Sequence, residues 1–199
     1  MVGARVELLD LLSLAMTIIQ TFRGIEEISE TTYWHLVSGN SSGGFNFFNN
    51  ARVARGLVYS ASYMAELDPN LANACTDYSY ANRDNEKERI FEQVRKEKFS
   101  NLPARLKALF LFQSIELAER AQQEWFPNEP RMLVRAWIAN GSKIHIADAE
   151  LLKGGTESWS SNAIRYWSGE STPQPFWEVL VHGSIYLPDW ESFQLSIPK

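Results

Sequence analysis

Alternation of apolar and polar residues predicts several short strands in this chain. TTYWHLV, residues 31–37, is rich in the β-branched and aromatic residues that favour strands. MLVRAWI (132–138) alternates in character, and KIHIAD (143–148) follows it after the turn signal Asn140-Gly141. LKALFLF and WEVLVHGSIYL add two further apolar runs. The chain is therefore predicted to contain strands from near residue 31 to its C-terminal part.

A different period marks the N-terminal segment LLDLLSLAMTII. Leu8, Leu12 and Ile19 fall on one face of a helix, with polar residues opposite. Asp10 interrupts the apolar run, which is shorter than the ~20 residues that span a bilayer. We therefore expect an amphipathic packing helix within an N-terminal helical extension, residues 1–30, and no stable membrane insertion.

Three more helices follow from the same period. EKERIFEQVRKEKF, residues 86–99, places Ile90, Phe91 and Val94 on one side and predicts a surface helix. SIELAERAQQEWFP predicts another, with Ser114 as its N-cap and Pro127 as its stop. The stretch that contains Trp159, Ile164 and Trp167 predicts a third.

Two stretches give weaker patterns. The cluster SGNSSGG is typical of a loop, which we expect to continue to Asn50. Residues 52–67 fit either a strand ending near Tyr59 or a short helix. With strands and helices interspersed, the fold class predicted is α+β in a single domain, residues 1–199, whose core covers residues 31–191.

Composition excludes some classes of function. The formal charge is −5 and no long run of like charges occurs, which argues against strong binding to duplex DNA. Cys75 is the only cysteine, and the three histidines are scattered, so no metal site is expected. A lone cysteine also gives no sign of adaptation to an oxidising compartment.

Glu178 interrupts an otherwise apolar strand. Alternation places it on the same side as Phe176 and His182. An unpaired carboxylate buried there would cost several kcal/mol. Glu178 must therefore be paired, lie at an exposed strand start, or line a cleft, and the first two alternatives are purely structural roles.

The order of these segments resembles the ADP-ribosyltransferase superfamily, in the H-Y-E branch that includes diphtheria toxin and rifampin ADP-ribosyltransferase. A histidine-bearing strand (YWH) precedes a glycine-rich loop, then comes an apolar strand that runs into an acidic helix (ALFLFQSIELAERA), and a late strand opens with glutamate (WEVLVHG). The resemblance covers about residues 31–191 and lies in motif order. It implies a split β-sheet core and NAD as the substrate.

The resemblance assigns roles to individual residues. His35 would hydrogen-bond a ribose of NAD, and the backbone of Leu36 would contact the nicotinamide amide where many relatives have glycine. Glu178 would bond the 2′-hydroxyl of the nicotinamide ribose and stabilise the oxocarbenium that develops as the glycosidic bond breaks. His35 and Glu178 are thus expected on adjacent strands that face one cleft.

Aromatic and basic residues complete the expected site. Tyr59 and Tyr63, or alternatively Phe112, would stack on nicotinamide. Arg52, Arg55 and Arg105 are candidates for the pyrophosphate, because guanidinium groups bind phosphate oxygens in a fork.

The expected activity is transfer of ADP-ribose from NAD to a protein, nucleic acid or small molecule. Phe176 stands where arginine-modifying members have Glu or Gln, so arginine is not the expected acceptor. Such an enzyme would be a toxin, an effector delivered into a target cell, or a cytoplasmic modifier of antibiotics. The alternatives are an NAD-dependent RNA 2′-phosphotransferase and a noncatalytic protein-binding module of the same fold.

Overall fold

The computed structural model describes residues 16–21, 24–38 and 42–193, which form nine strands and six α-helices. The strands are β1 (Met16–Thr21), β2 (Gly24–Ser29), β3 (Tyr33–Ser38), β4 (Leu57–Tyr59), β5 (Leu109–Leu111), β6 (Arg131–Ile138), β7 (Lys143–Asp148), β8 (Trp177–His182) and β9 (Ser184–Tyr186). The helices are α1 (Ser42–Val53), α2 (Ala61–Leu67), α3 (Asp77–Ala81), α4 (Glu86–Lys98), α5 (Ile115–Trp125) and α6 (Thr156–Ser168). The predicted α+β class is confirmed.

The core strands are divided between two antiparallel sheets. One has the order β3-β6-β9-β4 and the other the order β5-β8-β7. Trp34 and Phe112 exchange two backbone hydrogen bonds, of 2.9 and 2.8 Å, and so join β3 to β5 across the division. Gly183, at φ 147°, separates β8 in one sheet from β9 in the other. The late strand therefore contributes to both sheets.

Three large apolar clusters hold the sheets and helices together. The first lies on the face of both sheets that carries Val37 and Val179, the second packs α4 and α6 on β8 around Tyr166 and Trp167, and the third packs α5 against Phe112. Each cluster combines residues from distant parts of the chain, and the first contains residues of both sheets. No helix among the described residues has the length and apolar character needed to cross a membrane.

The predicted N-terminal helix is wrong for residues 16–21 and 24–29, which pair as the antiparallel strands β1 and β2. Ile18 is exposed, whereas its neighbour Ile19 packs against the cluster around Ile28 and Leu57. This alternation has the period of a strand, and β-branched Thr17, Ile18 and Ile19 favour it. Leu8 and Leu12 lie outside the described residues.

The predicted glycine-rich loop is also wrong, because its residues from Ser42 onward form α1. A Cβ on Gly44 would lie 1.7 Å from the carbonyl oxygen of Ser38, so glycine lets the helix begin against the end of β3. Phe47 and Phe48 then pack on the first cluster. Glycine here serves a close approach and not a flexible connection.

The other predicted helices and strands agree with the structure. The helices expected at residues 86–99, after Ser114 and around Trp159 are α4, α5 and α6, and Ser114 caps α5 by accepting a hydrogen bond from the amide of Leu117. The ambiguous residues 52–67 contain both candidates, β4 and then α2. The Asn140-Gly141 turn is present, but it leads from one sheet to the other, so β6 and β7 do not pair.

Candidate functional site

Glu178 is completely buried and paired with a cation. The guanidinium of Arg105, itself 4% exposed, donates a short hydrogen bond from one NH group to Glu178 Oε1. The hydroxyl of Tyr166 donates to the same oxygen at 2.6 Å and accepts from Arg105 at 2.6 Å. Among the described residues, the second oxygen of Glu178 has no hydrogen-bond partner.

A second carboxylate completes this buried network. Arg105 Nε lies 3.2 Å from Glu88 Oε2, and the Tyr78 hydroxyl donates to Glu88 Oε1 at 2.6 Å. Burial alone would lower the pKa of Arg105, but Glu178 and then Glu88 raise it well above its usual value. Burial opposes ionisation of Glu88, yet Arg105 and Tyr78 lower its pKa overall. Two carboxylates thus share one guanidinium in the interior.

His35 is held in a different environment. Its Nδ1 donates to the carbonyl oxygen of Phe110 at 2.6 Å, and its ring stacks on Phe47 with centroids 4.9 Å apart. Burial lowers the pKa of His35 to about 4; the Phe110 carbonyl opposes this shift and Arg131 adds to it. The imidazole is therefore neutral at physiological pH.

The expected meeting of His35 and Glu178 is wrong. β3 pairs with β6, and β5 lies between β3 and β8. Val37, on the same side of β3 as His35, packs in one cluster with Val179, which points away from Glu178. The imidazole and the carboxylate therefore leave the sheets on opposite faces and cannot bind one sugar ring.

Most of the other residues that were expected to contact NAD do not line a common cleft either. The side chains of Leu36 and Phe112 are buried in the third cluster, so the Phe112 ring is not free to stack on nicotinamide. Arg52 and Arg55 are exposed at and just after the end of α1. Arg105 is committed to the two buried carboxylates. Local alternation could not reveal these assignments, because burial depends on partners that are distant in sequence.

Tyr59 and Tyr63 do come together, in a group of side chains that we call the α2 cluster: Tyr59, Ser62, Tyr63, Glu66 and His182. The two tyrosine rings lie 6.0 Å apart at 31°, and His182 meets Tyr63 edge-on at 5.9 Å. Both tyrosines are half-buried and the Glu66 side chain is 55% exposed, so the cluster reaches the surface. β4, α2 and the end of β8 supply its members.

His182 joins the polar members of the α2 cluster. Its Nδ1 lies 2.8 Å from Ser62 Oγ, and its Nε2 lies 3.1 Å from Glu66 Oε1. The second distance suits an ion pair, although Nε2 is not aligned for a hydrogen bond to that oxygen. Ser62 and Glu66 are four residues apart and hence on one face of α2. The hydroxyl of Ser62, the imidazole of His182 and the carboxylate of Glu66 therefore form a row in which each group lies close to the next.

A further carboxylate borders the α2 cluster. Glu26, from β2, accepts hydrogen bonds from the hydroxyl of Tyr59 at 3.3 Å and from Ser184 Oγ at 2.9 Å. Ser62, Glu66 and Glu26 were not among the residues expected at a site. The segment YSASYMAE contained the available signal, since the four-residue spacing of Ser62 and Glu66 places them one helical turn apart.

Comparison with known sequences gives a family but no activity. No curated protein matches the chain. The model of the family described as "Protein of unknown function (DUF2441)" matches residues 20–189, which covers β2, both core sheets and the α2 cluster. Since this match extends over most of its length, the chain belongs to the DUF2441 family.

Proposed function

We propose that this protein cleaves the nicotinamide N-glycosidic bond of NAD and transfers ADP-ribose, and that the α2 cluster is its site. The observation that carries the proposal is the contact of Tyr59 and Tyr63 with each other and with His182, beside the exposed carboxylate of Glu66. The division of the strands between two sheets, which the ADP-ribosyltransferase resemblance implies, also supports it. His35 and Glu178 have no part in the chemistry.

The residues of the α2 cluster match the needs of this reaction. A tyrosine ring provides a face on which a planar nicotinamide can stack. Bond cleavage leaves positive charge on the ribose, and a carboxylate beside it stabilises the transition state more than the ground state. Glu66 can take this role because its side chain is 55% exposed, whereas the charge of Glu178 is sealed and paired with Arg105. Glu26 offers a second carboxylate, which accepts a hydrogen bond from the Tyr59 hydroxyl.

Nicotinamide release from NAD tests the proposal. Glu66→Gln keeps the shape of the side chain and removes its charge, so we expect turnover to fall 10²-fold or more. Tyr63→Leu should weaken NAD binding and raise KM. The matched controls are Glu119→Gln, an exposed glutamate on α5, and Tyr80→Leu, an exposed tyrosine on α3. Both controls should behave as wild type, and a wild-type rate equal to buffer would refute the proposal.

Glu178→Gln adds a decisive comparison. If the α2 cluster is the site, this substitution changes the rate only as far as it lowers the folded fraction. A loss of turnover by orders of magnitude in a folded Glu178→Gln protein would place the chemistry in the buried network and overturn the assignment.

A noncatalytic protein-binding module is the second candidate function. The observation that favours it concerns Glu178, the residue for which the sequence most suggested chemistry. Glu178 is instead paired with Arg105 in the interior. Met132, Ile144 and Ile146 are 39–46% exposed and would contribute apolar contacts to a partner. Background nicotinamide release by a folded wild-type protein would favour this candidate.

A further inference from the structure

We propose that Ser62 is a nucleophilic serine, activated by His182 and Glu66, which takes an acyl group from an ester or thioester. This activity goes beyond the transfer of ADP-ribose. It concerns the hydroxyl of Ser62, to which the NAD reaction assigns no role. The inference rests on contacts within the cluster and does not require that NAD bind there.

The geometry is that of a nucleophile, a base and an orienting acid. Ser62 Oγ lies 2.8 Å from His182 Nδ1, within the range of a nucleophile–base hydrogen bond. On the far side of the ring, Glu66 Oε1 lies 3.1 Å from Nε2. This relay is recognised by the mutual placement of its groups and not by their order in the chain. One turn of α2 and the last residue of β8 are sufficient to build it.

The carboxylate determines which ring nitrogen carries the proton. A carboxylate at Nε2 favours the tautomer protonated there, which leaves Nδ1 as an acceptor. Ser62 Oγ then donates to Nδ1, since its other hydrogen-bond neighbours, the carbonyl oxygen of Lys107 and Ser60 Oγ, are farther away at 3.2 and 3.3 Å. Rotation of the exposed Glu66 side chain can align its oxygen with Nε2, and such bonds are often loose before substrate binds. The proton of Ser62 therefore already points at its base.

The reaction follows from this arrangement. Ser62 Oγ attacks the carbonyl carbon and its proton passes to His182 Nδ1. The bond from carbon to the leaving oxygen or sulfur then breaks, and the departing alcohol or thiol takes the proton from Nδ1. Water repeats the sequence on the Ser62 ester and releases the carboxylic acid. The half-buried rings of Tyr59 and Tyr63 provide an apolar wall for the acyl group.

Labelling with a fluorophosphonate, which reacts with activated serines, tests the inference. We expect modification at Ser62, located by mass spectrometry of the labelled peptides, and none in Ser62→Ala. His182→Gln should slow labelling at least 10²-fold, the usual contribution of a positioned base. Ser184→Ala is the matched control, because Ser184 Oγ bonds to the Glu26 carboxylate and not to a histidine. Labelling of this variant should proceed at the wild-type rate.

Absence of label on the folded wild-type protein would refute the inference, as would equal labelling of the wild type and His182→Gln. Nicotinamide release reports separately on the NAD proposal, so failure of one leaves the other measurable.

Discussion

The buried network around Arg105 makes the sharpest prediction about stability. Arg105→Met replaces the only cation in contact with Glu178 and Glu88 among the described residues by an apolar side chain of similar length. Both carboxylates are nearly inaccessible, at 0% and 3% exposure. Neither can recover its hydration without local unfolding, so the variant must either bury uncompensated charge or take up protons.

The expected cost is large relative to the stability of a domain. Removing one partner of a buried ion pair typically costs 3–5 kcal/mol, and here one guanidinium serves two carboxylates. We therefore expect Arg105→Met to lose at least about 4 kcal/mol of the 5–15 kcal/mol typical of a folded protein. Glu178→Gln leaves Arg105 paired with Glu88 and retains an acceptor for Tyr166, so we expect a loss of about 1–2 kcal/mol.

Urea unfolding followed by tryptophan fluorescence measures both variants, since the chain has seven tryptophans. The deficit of Arg105→Met should shrink between pH 7 and pH 5, because protonation relieves the two unpaired carboxylates. The wild type should show no such gain, since Glu88 has a lowered pKa and stays ionised in the folded state. A loss below 1 kcal/mol for Arg105→Met, or a larger loss for Glu178→Gln, would refute this reasoning.

Three further predictions concern His35, Asp148 and Gly56. Burial lowers the pKa of His35 to about 4, below its unfolded value of 6.5. The contribution of His35 to the free energy of unfolding is therefore intact above pH 6.5 and declines by about 3 kcal/mol as the pH falls to 4. The urea midpoint of His35→Gln should depend less on pH over that range than the midpoint of the wild type. Asp148 is buried and accepts hydrogen bonds from Thr172 and from the amides of Phe176 and Glu150. Asp148→Asn should lower the free energy of unfolding by about 2–4 kcal/mol in the same assay, and an unchanged value would contradict the role of Asp148 in fixing the chain that enters β8. Gly56 has φ +94°, and a Cβ added there would lie 2.3 Å from the Tyr186 ring, so Gly56→Ala should lower the thermal midpoint by several degrees. Gly141 also has a positive φ but has open space around it, so Gly141→Ala should lower the midpoint only through backbone strain.

Local patterns were sufficient for many elements of this fold. The strand at YWHLV and the helices α4 and α5 follow from periodicity, capping and proline stops that act within a few residues. The same reasoning failed at residues 16–21, 24–29 and 42–53. There, β-branched residues and close packing against Ser38 outweighed a helical period and a glycine-rich composition.

The sequence by itself determined that a carboxylate at position 178 needs a partner, because burial of charge is costly anywhere in a protein. Only the tertiary structure decided that the partner is Arg105, 73 residues away, and that His182 meets Ser62 across 120 residues. The physical reason is that periodicity fixes which face a side chain takes on its own element. Strand order and register fix what that face meets, and both depend on contacts that no local window contains.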